Sequence, residues 1–183
     1  MDWDAFQTAW HDSGSRALAE VAAAHPGERL YAAAFHLFYG DGTQILPPAL
    51  GVNAEAAVHD DDGCSTRFAP PEWRWAVLDA ASDAMRPWYR RLTEELLAPA
   101  TTPAERDAAW VAHDDAVAAV CRVMTATARR GGIHDALPPD FVVVALDGRR
   151  EDEGAELLRA SVDPQVLATV VGLREHLREL GQA

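Results

Sequence analysis

Large apolar residues recur along this chain at two different periods, and the change of period divides it into elements. Over residues 3–24, Trp3, Phe6, Trp10, Ala17, Leu18 and Val21 fall on one side of a helix. Gly14 weakens that helix by about 1 kcal/mol, and Pro26 with Gly27 stops it. Residues 30–39 are apolar at odd and even positions alike, the pattern of a strand covered on both faces. Asp41 and Gly42 then signal a hairpin turn, with residues 43–46 returning antiparallel until Pro47 and Pro48 end the pairing. Asn53 is suited to cap a short helical turn through Val58, and "HDDDGCSTR" reads as an exposed acidic loop.

From Pro71 the pattern turns helical through "EWRWAVLDAASDAM". Pro87 implies a kink or a fresh helix start, and Met85, Tyr89, Leu92 and Leu96 make an apolar stripe. Thr102, Pro103 and Glu105 form a capping box with proline at the first helical position. The helix they open carries Trp110, Val117, Cys121, Met124 and Ala128 on one face and ends at "RRGG". The valine-rich run in "DFVVVALDG" predicts a buried central strand, and "REDEGAELLRA" a short helix. Asp163 caps a last helix in which Val166, Val170, Leu173, Leu177 and Leu180 keep helical spacing. The sum is an α+β fold. We expect one helix-rich domain over residues 1–183, with a small, mainly antiparallel sheet made of a hairpin at 29–46 and a strand at 140–147.

Charge narrows the function classes. The chain has 29 acidic residues against 16 basic ones, all arginine, and a net charge of −13. Binding to nucleic acid rests on cationic groups that neutralise phosphates, and no basic patch stands out. DNA, RNA and anionic membranes are therefore poor partners, and a basic protein is a better one. No apolar run reaches the roughly 20 residues of a membrane span. The acidic "MDWDAFQTAW" start lacks a signal peptide's features, which predicts a cytoplasmic protein.

The candidate chemistry is sparse. Cys121 belongs to an apolar helix face, while Cys64 falls in a polar loop with no base placed beside it by sequence. His113 sits in a predicted helix as a solvated or half-buried residue, and the partner that a helical metal pair needs four positions on is Val117. Asp60, Asp61 and Asp62 are consecutive and cannot easily share one ion; they read as a solvated loop, or more sharply as a docking patch. His36 lies in a buried strand and Asp147 at a strand end, where a catalytic group or plain turn chemistry would both fit. No metal, cofactor or nucleophile motif is present. Trp73 and Trp75 flank Arg74 just after Glu72, and they are either core anchors or a binding hot spot.

Four stretches, "HPGERLYAAAFHLFYGDG", "NAEAAV", "PPEWRW" and "DFVVVALDGRREDEGAELLRASVDP", together resemble an uncharacterised bacterial family, domain of unknown function 4303. The resemblance spans roughly residues 3–170, with His25, Pro26, Glu28, Arg29, Leu30 and Tyr31 and the Glu72–Trp73 pair its most specific pieces. Ala54 stands where the family usually has Thr after the asparagine matched by Asn53, which counts against a hydroxyl-dependent site there. The resemblance implies a small, single-domain, cytoplasmic α+β protein and brings no established activity with it. Two readings follow. In the first, the chain is a non-enzymatic binding module of immunity-protein type. It docks a basic partner, such as a toxin, through Asp60, Asp61, Asp62, Glu72, Trp73, Arg74, Trp75, Glu151, Asp152 and Glu153. In the second, it is a small hydrolase or metal-dependent enzyme built on His36, His113, Asp147 or Cys64. The last amphipathic helix also allows a homodimer.

Overall fold

A computed structural model describes residues 1–37, 44–61, 64–147 and 154–181, with the backbone alone at 60, 61, 64 and 65. Its centre is a three-stranded sheet of order β2-β1-β5, from β1 (Leu30–Leu37), β2 (Ala49–Ala54) and β5 (Val142–Asp147). Strand β1 runs antiparallel to β2 and parallel to β5. The fold is thus α+β as expected, but the sheet is mixed. The valine-rich strand is buried as predicted yet lies at an edge of the sheet, and β1 takes the centre.

Both faces of the sheet are covered, which is why β1 is apolar at every position but His36. On one face, Leu30, Ala33 and Phe35 meet α1 (Trp3–Ala24), α2 (Asp79–Leu96) and α3 (Pro103–Arg129). On the other, Tyr31, Ala32, Ala34, Val142 and Val144 meet Phe68, Trp73, α4 (Gly154–Ser161) and α6 (Leu173–Leu180). The long helices follow their sequence signals. Thr102 and Glu105 form the capping box of α3 with both hydrogen bonds made. The stripe Met85, Tyr89, Leu92 and Leu96 is buried, and Pro87 lies inside α2 without ending it.

Four expectations are corrected. The strand antiparallel to β1 is 49–54, not 43–46, because Pro47 and Pro48 have no N–H to pair and the ladder forms only beyond them. The expected turn at Asp41 and Gly42 lies outside the described residues. Asn53 is a buried residue of β2 rather than a helix cap, and the helical turn shrinks to a 3₁₀ turn at Glu55–Ala57. The helix expected from Pro71 starts only at Asp79, since Trp75 is held by β2. Finally, the last helix is broken into α5 (Pro164–Leu167) and α6, with Gly172 between them at φ +77°. Its apolar stripe covers the sheet: Leu173 and Leu177 are buried, and Val166, Val170 and Leu180 pack beside them. None of the described helices is long and apolar enough to cross a membrane.

Candidate functional site

Residues 66–78 form a strap around the exposed edge of β2, built from two 3₁₀ turns, Thr66–Phe68 and Pro70–Glu72, and the segment after them. The two tryptophans go to opposite sides of the sheet. Trp73 is 4 % exposed and enters the layer under α4 and α6, whereas Trp75 is half-buried and packs toward α1 and α2. Between them the backbone docks on β2. The Val52 N–H donates to the Trp75 carbonyl at 2.8 Å, the Trp75 N–H to the Val52 carbonyl at 3.3 Å, and the Leu78 N–H to the Leu50 carbonyl at 2.7 Å. Pairing of this kind blunts an edge that would otherwise be free to aggregate. Gly51 permits the approach, since a Cβ there would lie 2.8 Å from the Ala76 carbonyl oxygen.

Polar side chains lock the strap. Asn53 is fully buried; its Nδ2 donates to the Tyr31 hydroxyl at 3.1 Å, and its Oδ1 accepts the Arg74 N–H at 3.3 Å. Tyr31 in turn donates to the Arg67 carbonyl at 2.6 Å. Arg67 makes a two-pronged pair with Glu55, at 3.1 and 2.6 Å, and its guanidinium lies over the Tyr31 ring. Burial pushes the Tyr31 hydroxyl up to about 12, against the pull of the Asn53 hydrogen bond and the Arg67 charge. Arg74 pairs with Glu28 at 2.5 Å and lies over the Trp75 ring, which also contacts His25. Thus His25, Glu28, Tyr31, Asn53 and Trp73, quoted above for the family resemblance, gather around one structural knot.

Of the expected partner contacts, Trp73 is buried, which matches the anchor reading left open for it, Trp75 is half-buried, and Glu72 and Arg74 are exposed. The acidic stretch is not a plain loop. Asp60–Asp61 (β3) pairs antiparallel with Cys64–Ser65 (β4) in a small hairpin. This hairpin is tied to the strap: the Thr66 N–H donates to the His59 carbonyl at 3.0 Å, and Trp73 Nε1 donates to the Thr66 carbonyl at 3.2 Å. The strap and the acidic hairpin are therefore one braced unit. Asp62, Glu151, Asp152 and Glu153 lie outside the described residues.

The expected catalytic groups separate. His36 and Asp147 come near each other at the ends of the parallel strands β1 and β5, where strand alternation assigns them to opposite faces. Burial pulls the His36 pKa down, and the Asp147 charge partly restores it. His113 is elsewhere, only 1 % exposed, which corrects its expected solvated position. Its Nδ1 lies 2.9 Å from Asp114 Oδ1 and its Nε2 2.8 Å from the Tyr89 hydroxyl, among Phe6 and Trp110. The imidazole thus bridges Asp114 and the Tyr89 hydroxyl, one through each ring nitrogen. The backbone of Cys64 lies in β4. Burial pushes the Cys121 thiol far up, as fits its core position. Among the described residues, no group of three or more His, Cys, Asp or Glu is placed to hold a metal.

Sequence reasoning missed Arg67 and Glu55, and it read Tyr89 only as part of the apolar stripe of α2, because their contacts, such as Tyr89 with His113, are remote in sequence. The pairing of Asp60–Asp61 with Cys64–Ser65 did carry a signal, the Asp-Gly sequence between them. No family model, no curated protein and no solved structure matches this chain.

Proposed function

We propose that this protein is a non-enzymatic binding module of immunity-protein type, which docks a basic protein through the acidic hairpin and the adjoining strap. The observation that carries the reading is the bracing of that unit. Trp73 plugs the sheet layer and holds Thr66, so the hairpin backbone bearing Asp60 and Asp61 and the exposed Glu72 stand on a fixed base. A rigid acidic patch needs little ordering on binding, and it steers a cationic partner over distances of about a Debye length. The two arginines within the unit do not oppose this, because Arg67 and Arg74 are already paired with Glu55 and Glu28. The net charge of −13 supports the same reading. An enzyme reading draws less support, since His36 and His113 sit in different parts of the fold.

The test compares the wild-type chain with D60N/D61N/E72Q in affinity capture from the native host, at about 0.05 and 0.5 M salt. A stoichiometric basic partner should be retained by the wild type at low salt, and lost both at high salt and by the variant. A partner held equally by the variant would move the interface elsewhere. Recovery of none under either condition would remove the reading.

A further inference from the structure

Strand β5 ends the sheet, and among the described residues no strand pairs with its outer side. An edge of this kind presents a row of N–H and C=O groups that another strand can join. The sequence sharpens the hazard. Residues 141–146 read "FVVVAL", six apolar residues with no charge and no proline, the composition that stacks strand on strand in aggregates. Yet the outward groups of β5 are occupied, and by side chains rather than by backbone.

Val143 donates its N–H to Thr125 Oγ1 at 2.9 Å, and its carbonyl accepts from the same hydroxyl at 3.3 Å. One side chain thereby reproduces the double exchange that a residue makes with its opposite number in an antiparallel pair. Ala145 donates its N–H to Ser161 Oγ at 3.0 Å, and that hydroxyl donates on to the Leu158 carbonyl at 2.8 Å. The Phe141 carbonyl accepts from Arg129 Nε at 2.8 Å. Residues 141, 143 and 145 alternate along the chain, so the ladder to β1 falls to Val142, Val144 and Leu146 between them.

Matching step lengths let a helix do this. Thr125 and Arg129 lie one turn apart on α3, about 6 Å along its axis. Two strand residues rise by about 6.6 Å. Running opposite to β5, α3 therefore meets every second residue of the edge, and Ser161 at the end of α4 continues the row. Both hydroxyls are buried, so removing either leaves a backbone N–H with neither water nor protein to accept it.

We propose that Thr125, Arg129 and Ser161 serve as a surrogate fourth strand, which closes the outer edge of β5 to the same strand of a second copy of this chain. This latch is independent of the acidic hairpin and of the function proposed for it.

The variants T125V and S161A remove a hydroxyl with little change of volume, whereas T125S keeps it. Amide hydrogen exchange should show Val143 about tenfold less protected in T125V, the scale of one lost hydrogen bond. Val144 should change little, and T125S should stay close to wild type. Ala145 should respond to S161A in the same way, which keeps the test in hand should circular dichroism show T125V unfolded. Light scattering and infrared spectroscopy then follow T125V/S161A, which should associate through intermolecular strands faster than wild type. The control is L177A, which loosens the layer beneath α6 and leaves the β5 edge bonded, compared at an equal unfolded fraction. Protection lost evenly over residues 142–146, or not lost at all, overturns the proposal. So does a double variant that associates no faster than L177A.

Discussion

Trp73 and Trp75 differ by two positions and by which side of the sheet they serve. Trp73 is 4 % exposed, rests beside Tyr31 and Phe68, and donates its indole N–H to Thr66. Its removal leaves a cavity in the layer under α4 and α6. Trp75 is half-buried and keeps its backbone pairing with Val52 whatever its side chain. We expect Trp73→Ala to cost about 3 kcal/mol or more in unfolding free energy, and Trp75→Ala clearly less. Urea denaturation of the two variants checks the order, and a larger loss at Trp75 would reverse the assignment of anchor and rim. The sequence pair "WRW" left this choice open, because neither helical nor strand geometry describes a segment that turns round a sheet edge.

At the scale of elements, what the sequence revealed depends on whether the signal was local. The ends of α3 were legible from Thr102, Glu105 and "RRGG", all within a few residues of the ends they define. The start of α2 was not, because residues 73–78 have a helical pattern that loses to pairing with β2. The break before α6 was hidden by an apolar stripe that runs through it, although Gly172 was there to be read. For the candidate site, the acids and the tryptophans were legible as types, but not their bracing by Asn53, Tyr31 and Arg67, which lie far apart in the chain. The strap's dependence on Gly51 yields a sharp test. A methyl at Gly51 would meet two backbone carbonyl oxygens, at 2.8 and 3.1 Å, and neither can swing aside as a side chain would. Gly51→Ala should therefore destabilise by about 2–3 kcal/mol. Gly27→Ala, with nothing within 4 Å of the added methyl, should stay within roughly 0.5 kcal/mol of wild type. Thermal unfolding of the pair decides; equal midpoints would mean that the strap does not need its close approach to β2.

Over the whole molecule, local burial and global charge push stability in opposite directions on the acid side. Burial lowers the pKa of His36 and of His176, the latter stacked on Phe68 in the layer beneath α6. The folded chain thus favours both rings neutral, whereas an unfolded histidine takes up its proton near pH 6.5. Below that point the unfolded state binds more protons than the native one, so stability falls as pH falls. Charges that face these rings temper the effect without reversing its sign: Asp147 acts on His36, and Glu179, at 3.8 Å, on His176. Meanwhile the molecule approaches its isoelectric point of about 4.8, which relieves the mutual repulsion within a net charge of −13. Salt separates the two effects, since about 0.5 M ions screen the long-range repulsion far more than they alter burial. In such salt we expect denaturant unfolding to show lower stability at about pH 5.5 than at about pH 7.5, because unfolded histidines take up protons across that range while burial opposes it in the folded chain. The double variant H36Q/H176Q should show a smaller difference between the two conditions. If wild type and variant lose stability in parallel, the acid sensitivity belongs to carboxylates such as Glu95, whose pKa the N-terminal ammonium lowers, and not to the buried rings.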